Sequence, residues 1–429
     1  MIRRRGACVA GAAVMLLLAA SSALAGSWIA AQPKAGDRAA IKELLDRRAR
    51  AVLTRDEAGF MATVSKRDAS FVKRQRERFR WASEVPFKTY GLVAQWDLMG
   101  DLARPADRSR YPGASAVSIP LTQERYTLDR YSSRPAVEDL YLTFVKDRDR
   151  WLVASDSDLA DVGLLTSRHL WDFGPVRELR SDHFSVLSHP CGTGSNCALV
   201  PGELLALAES ALDRVVQRWG LPWRKRVVLL LPSSFEELSE MIQATFELDD
   251  FVAFATSTVD LKHDFRYGGH RIVFNPAGLG ERSQESLLLI LTHELTHVAT
   301  RSVSGPFVPT FVEEGLAEYV SRGPDAGLSS SLAAQIGAQP FRGTLPDNWR
   351  FVTGSGADIY RSYVEAQSAI RFLADRWGRR SLERFYRALG RPHVAPGTTA
   401  YHLDRALRST VGVGRRRFER LWAASIVEG

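Results

Sequence analysis

The chain has 429 residues, of which 45% are hydrophobic, 25% charged and 10% aromatic, so it is long enough for two or three cored domains and too apolar for a disordered polymer. Its net charge is +8, and three of those eight charges are Arg3, Arg4 and Arg5 at the extreme N-terminus, which leaves about +5 on residues 26–429. That arginine excess reads as a solvated, Arg-rich surface in preference to affinity for an anionic envelope surface, and no basic run is interleaved with aromatic residues, so no nucleic-acid partner is expected.

Residues 1–25 read as a signal peptide. Arg3, Arg4 and Arg5 form a positive head, an apolar stretch covers residues 7–20, and Ala23-Leu24-Ala25 offers the small-x-small pattern of a cleavage site. Cys8 lies at the start of the apolar stretch, where a lipid-modified cysteine would not sit. No later segment is apolar for long enough to span a membrane, so the chain is expected to be exported, whether secreted, periplasmic or envelope-associated, without an integral membrane segment after cleavage. Cys191 and Cys197, separated by a Gly- and Ser-containing stretch, are expected to pair as a disulfide in an oxidising compartment.

Residues 38–81 carry a helical pattern, with Ile41, Leu44, Leu45 and Ala49 on one stripe. After Pro86 the pattern turns to strands over residues 87–96, 118–131, 137–146 and 151–155. Helices followed by an antiparallel meander predict an α+β domain at residues 26–160. Its opening Ile41-Lys42-Glu43-Leu44-Leu45 and closing Asp149-Arg150-Trp151-Leu152-Val153-Ala154-Ser155-Asp156 resemble the cone-like nuclear-transport-factor-2-like (SnoaL-like) domains. The resemblance implies a binding or structural role for this region. Residues 161–183 read as a linker, and residues 184–429 as a second domain.

The second region opens with a strand near Phe184, a helix over residues 202–219 and an unbroken apolar strand, Val227-Val228-Leu229-Leu230-Leu231, suited to a sheet interior. Ser233 and Ser234 can cap the next helix, with Glu236 and Glu237 in its first turn. The strand at residues 270–275 leads to the segment with the clearest chemistry. His293-Glu294-Leu295-Thr296-His297 has the H-E-x-x-H spacing, which puts both imidazoles on one helix face, able to bind one Zn2+ ion, with Glu294 beside the open position to take a proton from a zinc-bound water.

A catalytic zinc wants a third protein ligand, and Phe311-Val312-Glu313-Glu314-Gly315-Leu316-Ala317-Glu318-Tyr319 supplies acidic candidates. Glu314-Gly315-Leu316-Ala317-Glu318-Tyr319, following His297 at this interval, resembles the gluzincin metallopeptidases, and residues 184–429 more loosely resemble the peptidase-MA-like group of exported bacterial proteins. The resemblance implies a mixed-sheet and helical metallopeptidase domain, Glu314 as third ligand and peptides or proteins as substrates. It also implies a tyrosine that donates to the oxyanion, Tyr363 first and Tyr360 second, and an edge strand at Ile272-Val273-Phe274-Asn275 that pairs with substrate unless that strand is interior.

Glu313 and Glu314 differ by about 100° around a helix, so one of them faces the imidazoles. Glu314 is preferred: Gly315 beside it would let this helix approach the zinc helix, and Glu318 shares its face and can orient an imidazole. Glu313 would then face solvent or a basic neighbour. The expected function is an exported zinc-dependent peptidase. Two alternatives use the same residues: an inactive zinc-binding scaffold whose N-terminal domain binds a ligand, and a zinc hydrolase of a non-peptide envelope amide. The oligomeric state is not written in the sequence.

Overall fold

The computed structural model describes residues 33–190, 200–243, 248, 251–259, 267–279, 282–305, 307–323, 341–390 and 398–427. The leader at residues 1–25 and the Cys191–Cys197 pair lie outside the described residues.

The fold is mixed α+β. Helix α1 (Ala35–Thr54) buries Ile41, Leu44, Leu45, Ala49 and Val52, the stripe that its 3.6-residue period puts on one side. Helix α2 (Ala69–Ala82) starts where the Asp68 side chain accepts the Ser70 N–H. Strands follow: β1 (Phe87–Ala94), β2 (Ala116–Ser118), β3 (Leu121–Leu128), β4 (Ala136–Tyr141), β5 (Thr143–Asp147) and β6 (Arg150–Ser155). Two of the long strands expected from the sequence are therefore each two strands in different sheets. One sheet has the order β1-β3-β4 and the other β2-β5-β6. The chain changes sheets around Pro120, which has no N–H for a ladder, and at Leu142.

The next sheet has five strands. β7 (Arg177–Arg180) lies within the segment read as a linker and pairs with β8 (Phe184–Ser188). Helix α3 (Pro201–Arg218) leads to β9 (Val227–Leu231); β10 (Ala253–Val259) and β11 (Tyr267–Phe274) complete the order β10-β11-β9-β8-β7. β8, β9 and β11 run parallel, with antiparallel strands at both ends.

Alternation along the strands serves two cores. Phe184, Val186, Leu229 and Ile272 pack with the helices that follow, while Leu187, Val228, Leu230 and Val273 join the core of α1, α2 and the first strands. The N-terminal region thus covers one face of the sheet directly. Arg271 on β11 fastens the contact by bonding Tyr126 and Glu138. The expected substrate-pairing strand is corrected here: β11 pairs with β10 on one side and β9 on the other, so Ile272 and Val273 have partners on both edges and the strand is interior.

Helix α4 (Gln284–Thr300) crosses the other face, capped by Ser283 accepting from Ser286 N–H. From Ile290 to Thr300 every residue is buried, because the sheet lies on one side and α3 and α5 (Thr310–Arg322) enclose the rest, with α6 (Gly356–Trp377) packed against α5. Gly378, at φ 82°, ends α6 in a conformation that costs glycine little. Helices α7 (Arg379–Gly390), α8 (Thr399–Val411) and α9 (Arg415–Val427) complete the chain. No helix among the described residues is long and apolar enough to cross a membrane.

Candidate metal centre

His293 and His297 stand one turn apart on α4, and both rings turn toward Glu314 on α5. His293 Nε2 lies 3.2 Å from Glu314 Oε2 and His297 Nε2 lies 3.5 Å from the same oxygen. The two Nε2 atoms are 3.1 Å apart. Ligand atoms about 2.0–2.1 Å from a tetrahedral zinc ion would be roughly 3.3 Å from one another, so this triangle has the edge lengths such an ion needs. Two imidazoles and a carboxylate are also the donor types that zinc takes in an open, catalytic site. Glu314 Oε1 is buried without a hydrogen-bond partner. These residues fit the ion.

Burial and the three neighbours set the charges of the metal-free cluster. Burial pushes the His293 imidazole down, but the Glu314 and Glu318 carboxylates outweigh it and hold the ring up at about 10. Burial, with the His293 and Arg301 charges adding to it, holds His297 below its ordinary value despite Glu314. Glu314 is held down, because both histidines outweigh the cost of its burial.

Glu294 follows His293 by one position, so it points about 100° away, toward the sheet. Ala255 N–H on β10 donates to Glu294 Oε2 at 2.8 Å, while Oε1 is buried with no partner. Burial raises its carboxyl to about 8, with Glu314 adding to the rise and His293 opposing it. A carboxylate so placed has one oxygen fixed by the backbone and one available to take a proton.

Glu318, one turn after Glu314, lies 3.1 Å from His293 Nδ1 through Oε1. This is an ion-pair contact; Nδ1 has no hydrogen-bond partner among the described residues. Arg322 Nε donates to its other oxygen at 2.6 Å. Burial would raise this carboxyl, but His293 and Arg322 bring it down to about 2.

Glu313 turns the other way, toward the basic neighbour expected of it, but inside the fold: Arg301 Nη1 is 3.2 Å away and Ser304 Oγ donates at 2.9 Å. Arg301 in turn lies 4.6 Å over the Tyr267 ring. Gly315 does allow a close approach, but to α6 and not to the zinc helix: a Cβ there would sit 2.4 Å from the Ala366 carbonyl oxygen.

Tyr363 on α6 is buried, its ring 6.3 Å from that of His293, and burial together with Glu314 drives its phenol well above the ordinary value. Tyr360 lies about 60° away around the helix and is half-buried. The sequence reading missed Ala255, Arg301, Tyr267 and Arg322. Of these only Arg301 and Arg322 left a signal, each four residues after a residue already singled out, His297 and Glu318.

No protein-family model and no curated protein matches the chain. Among solved structures it is similar to an M1 zinc metallopeptidase from Deinococcus radiodurans, at 14% identity and a TM-score of 0.31. A variant of that peptidase bound to a Tyr-Ser-Ala substrate gives 14% and 0.32, and a two-domain M1 zinc metallopeptidase variant bound to L-arginine gives 14% and 0.33. Each likeness covers 58% of this chain and 52% of the other, so this chain spans about half the length of those solved chains. With identity and TM-score this low, the functional reading rests on the site itself.

Proposed function

We propose that the chain is an exported zinc-dependent peptidase in which His293, His297 and Glu314 hold the metal, Glu294 is the general base and Tyr363 donates to the oxyanion. The observation that carries this reading is the buried triangle of His293, His297 and Glu314, whose ligand atoms lie within 4.8 Å of one another, beside a glutamate with one partnerless oxygen. Bound zinc supplies Lewis acidity, which brings the pKa of a coordinated water near 7. Glu294 Oε1 accepts the proton of the attacking water and returns it to the leaving amine, while the Ala255 N–H holds Oε2 in place. Glu318 orients the His293 ring from behind. The Tyr363 phenol, held protonated, donates to the oxygen on which negative charge develops. Peptides as substrates follow from the Glu314-Gly315-Leu316-Ala317-Glu318-Tyr319 resemblance, and export from the leader-like residues 1–25.

The test is substrate profiling of purified protein lacking residues 1–25, before and after chelation and after zinc is restored. The reading expects peptide hydrolysis that chelation abolishes and zinc restores. Zinc bound with no hydrolysis of any peptide would favour the scaffold alternative, and hydrolysis confined to envelope fragments would favour the envelope-amide alternative.

A further inference from the structure

A cavity of about 350 Å³ opens at the start of α6, its described lining including Arg342, Trp349, Arg350, Asp358, Arg361 and Glu365. Its wall is a preformed ion network. Glu365, only 3% exposed, is held by Arg350 Nη2 at 2.8 Å on Oε2 and by Arg361 Nε at 2.9 Å on Oε1. One buried carboxylate is thus shared by two guanidiniums, each a rigid planar fork. Asp358 is taken up as the helix cap, exchanging hydrogen bonds with Ser355. Arg342 adds an exposed third guanidinium. Among the described lining residues, three arginines against Asp358 and Glu365 leave one positive charge in excess. Trp349 stands at the cavity 60% exposed, a large apolar surface that nothing in the fold needs left in water.

The cavity also stands close to the metal ligands. Phe351 follows Arg350 directly, and its ring packs edge-on against Tyr363 at 5.3 Å; the Tyr363 ring is 6.3 Å from that of His293. Two ring contacts therefore separate the cavity wall from a metal ligand, a span of roughly three or four residues of extended chain at about 3.3–3.6 Å each.

We infer that this cavity binds a carboxylate of the substrate, a few residues from the cleaved bond, with the chain beside that carboxylate lying on Trp349. The inference rests on the peptidase reading for its ligand, but its test does not need turnover. One negative charge would balance the described lining residues, and a guanidinium fork matches a carboxylate in two-point geometry. The carboxylate could be a peptide's C-terminus or an acidic side chain.

Binding is measured calorimetrically on the full chain carrying Glu294→Gln, which blocks turnover and leaves the cavity untouched. The probes are acetyl-tetra-alanine as free acid, the same peptide as C-terminal amide, and the amide with one internal glutamate. Either carboxylate-bearing peptide should bind about tenfold or more tighter than the plain amide, as charge-assisted hydrogen bonds allow. A preference for the free acid assigns the C-terminus, and a preference for the glutamate peptide assigns a side chain. Adding Arg342→Glu, at an exposed position where folding is not at risk, should bring the ratio close to one. Arg380→Glu, exposed on α7 outside the cavity, should leave it unchanged. Equal binding of all three peptides, no binding of any, or the same loss from Arg380→Glu would overturn the inference. None of these results bears on whether the wild-type chain hydrolyses peptides.

Discussion

Arg301 Nη1 lies 3.2 Å from Glu313 Oε1 with only 2% and 6% of the two side chains exposed, while the adjacent Glu314 faces His293 and His297. Two neighbouring glutamates are thus divided between an internal ion pair and a metal cluster by the 100° step of one helix.

The two positions should respond differently to the same change. Glu313→Gln leaves the Arg301 charge buried without its counterion and is expected to cost about 3–5 kcal/mol of stability. Folded Glu313→Gln protein should nonetheless keep its zinc. Glu314→Gln replaces a carboxylate ligand by a neutral amide and should lose zinc. Melting temperature and zinc content after identical dialysis check both, and loss of zinc from the Glu313 variant alone would reverse the assignment.

Glu318 acts on the metal through His293. Glu318→Gln removes the negative charge 3.1 Å behind the Nδ1 atom and should weaken zinc binding about 10–100-fold, with Glu314 intact. Titration against a competing chelator measures it. Unchanged affinity would mean that Glu318 serves only Arg322.

Gly315 holds α5 against α6. Gly315→Ala would place a Cβ 2.4 Å from the Ala366 carbonyl oxygen and 2.8 Å from Ile370 Cγ1, so the helices must part. Overpacking of this kind costs about 1–3 kcal/mol and would move Glu314 relative to the histidines. A lowered melting temperature together with weakened zinc binding is expected; wild-type values for both would contradict the close approach.

Much of this site was legible because it is local. The His293–His297 spacing reads as one helix face from the period alone, and Glu314 and Glu318 share a face for the same reason. What was not legible depends on which elements meet. A glycine beside Glu314 announces a close approach but does not say whose, and it proved to be that of α6. The Arg301–Glu313 pair spans two helices. The β11 assignment failed although Ile272, Val273 and Phe274 are apolar in succession, the same sign of an interior strand that Val227 to Leu231 were correctly read by. In the N-terminal region the proline at 120 was the visible sign that one long strand would change sheets.

That region contains its own buried charge. Glu124 is fully enclosed, with Arg78 Nη2 at 2.9 Å, His169 Nε2 at 2.5 Å and the Tyr90 hydroxyl bonded to it. Burial would raise its carboxyl, but Arg78 and His169 outweigh that and hold it well below the ordinary value of 4.5. A depressed carboxyl stabilises the fold fully above its unfolded value and loses that contribution as pH falls toward its folded value. Wild type should therefore melt well above Glu124→Gln near neutral pH, and the gap should narrow on acidification below about pH 4. A gap that is constant or widens in acid would contradict this.

The most direct test of the central claim pairs zinc content with turnover in Glu294→Gln. The amide can still accept the Ala255 N–H on its oxygen but cannot take a proton from water. The account expects wild-type protein to bind one zinc ion and hydrolyse peptides, and the variant to bind zinc as fully with hydrolysis reduced by about 100-fold or more. Near-wild-type hydrolysis by the zinc-loaded variant would contradict it.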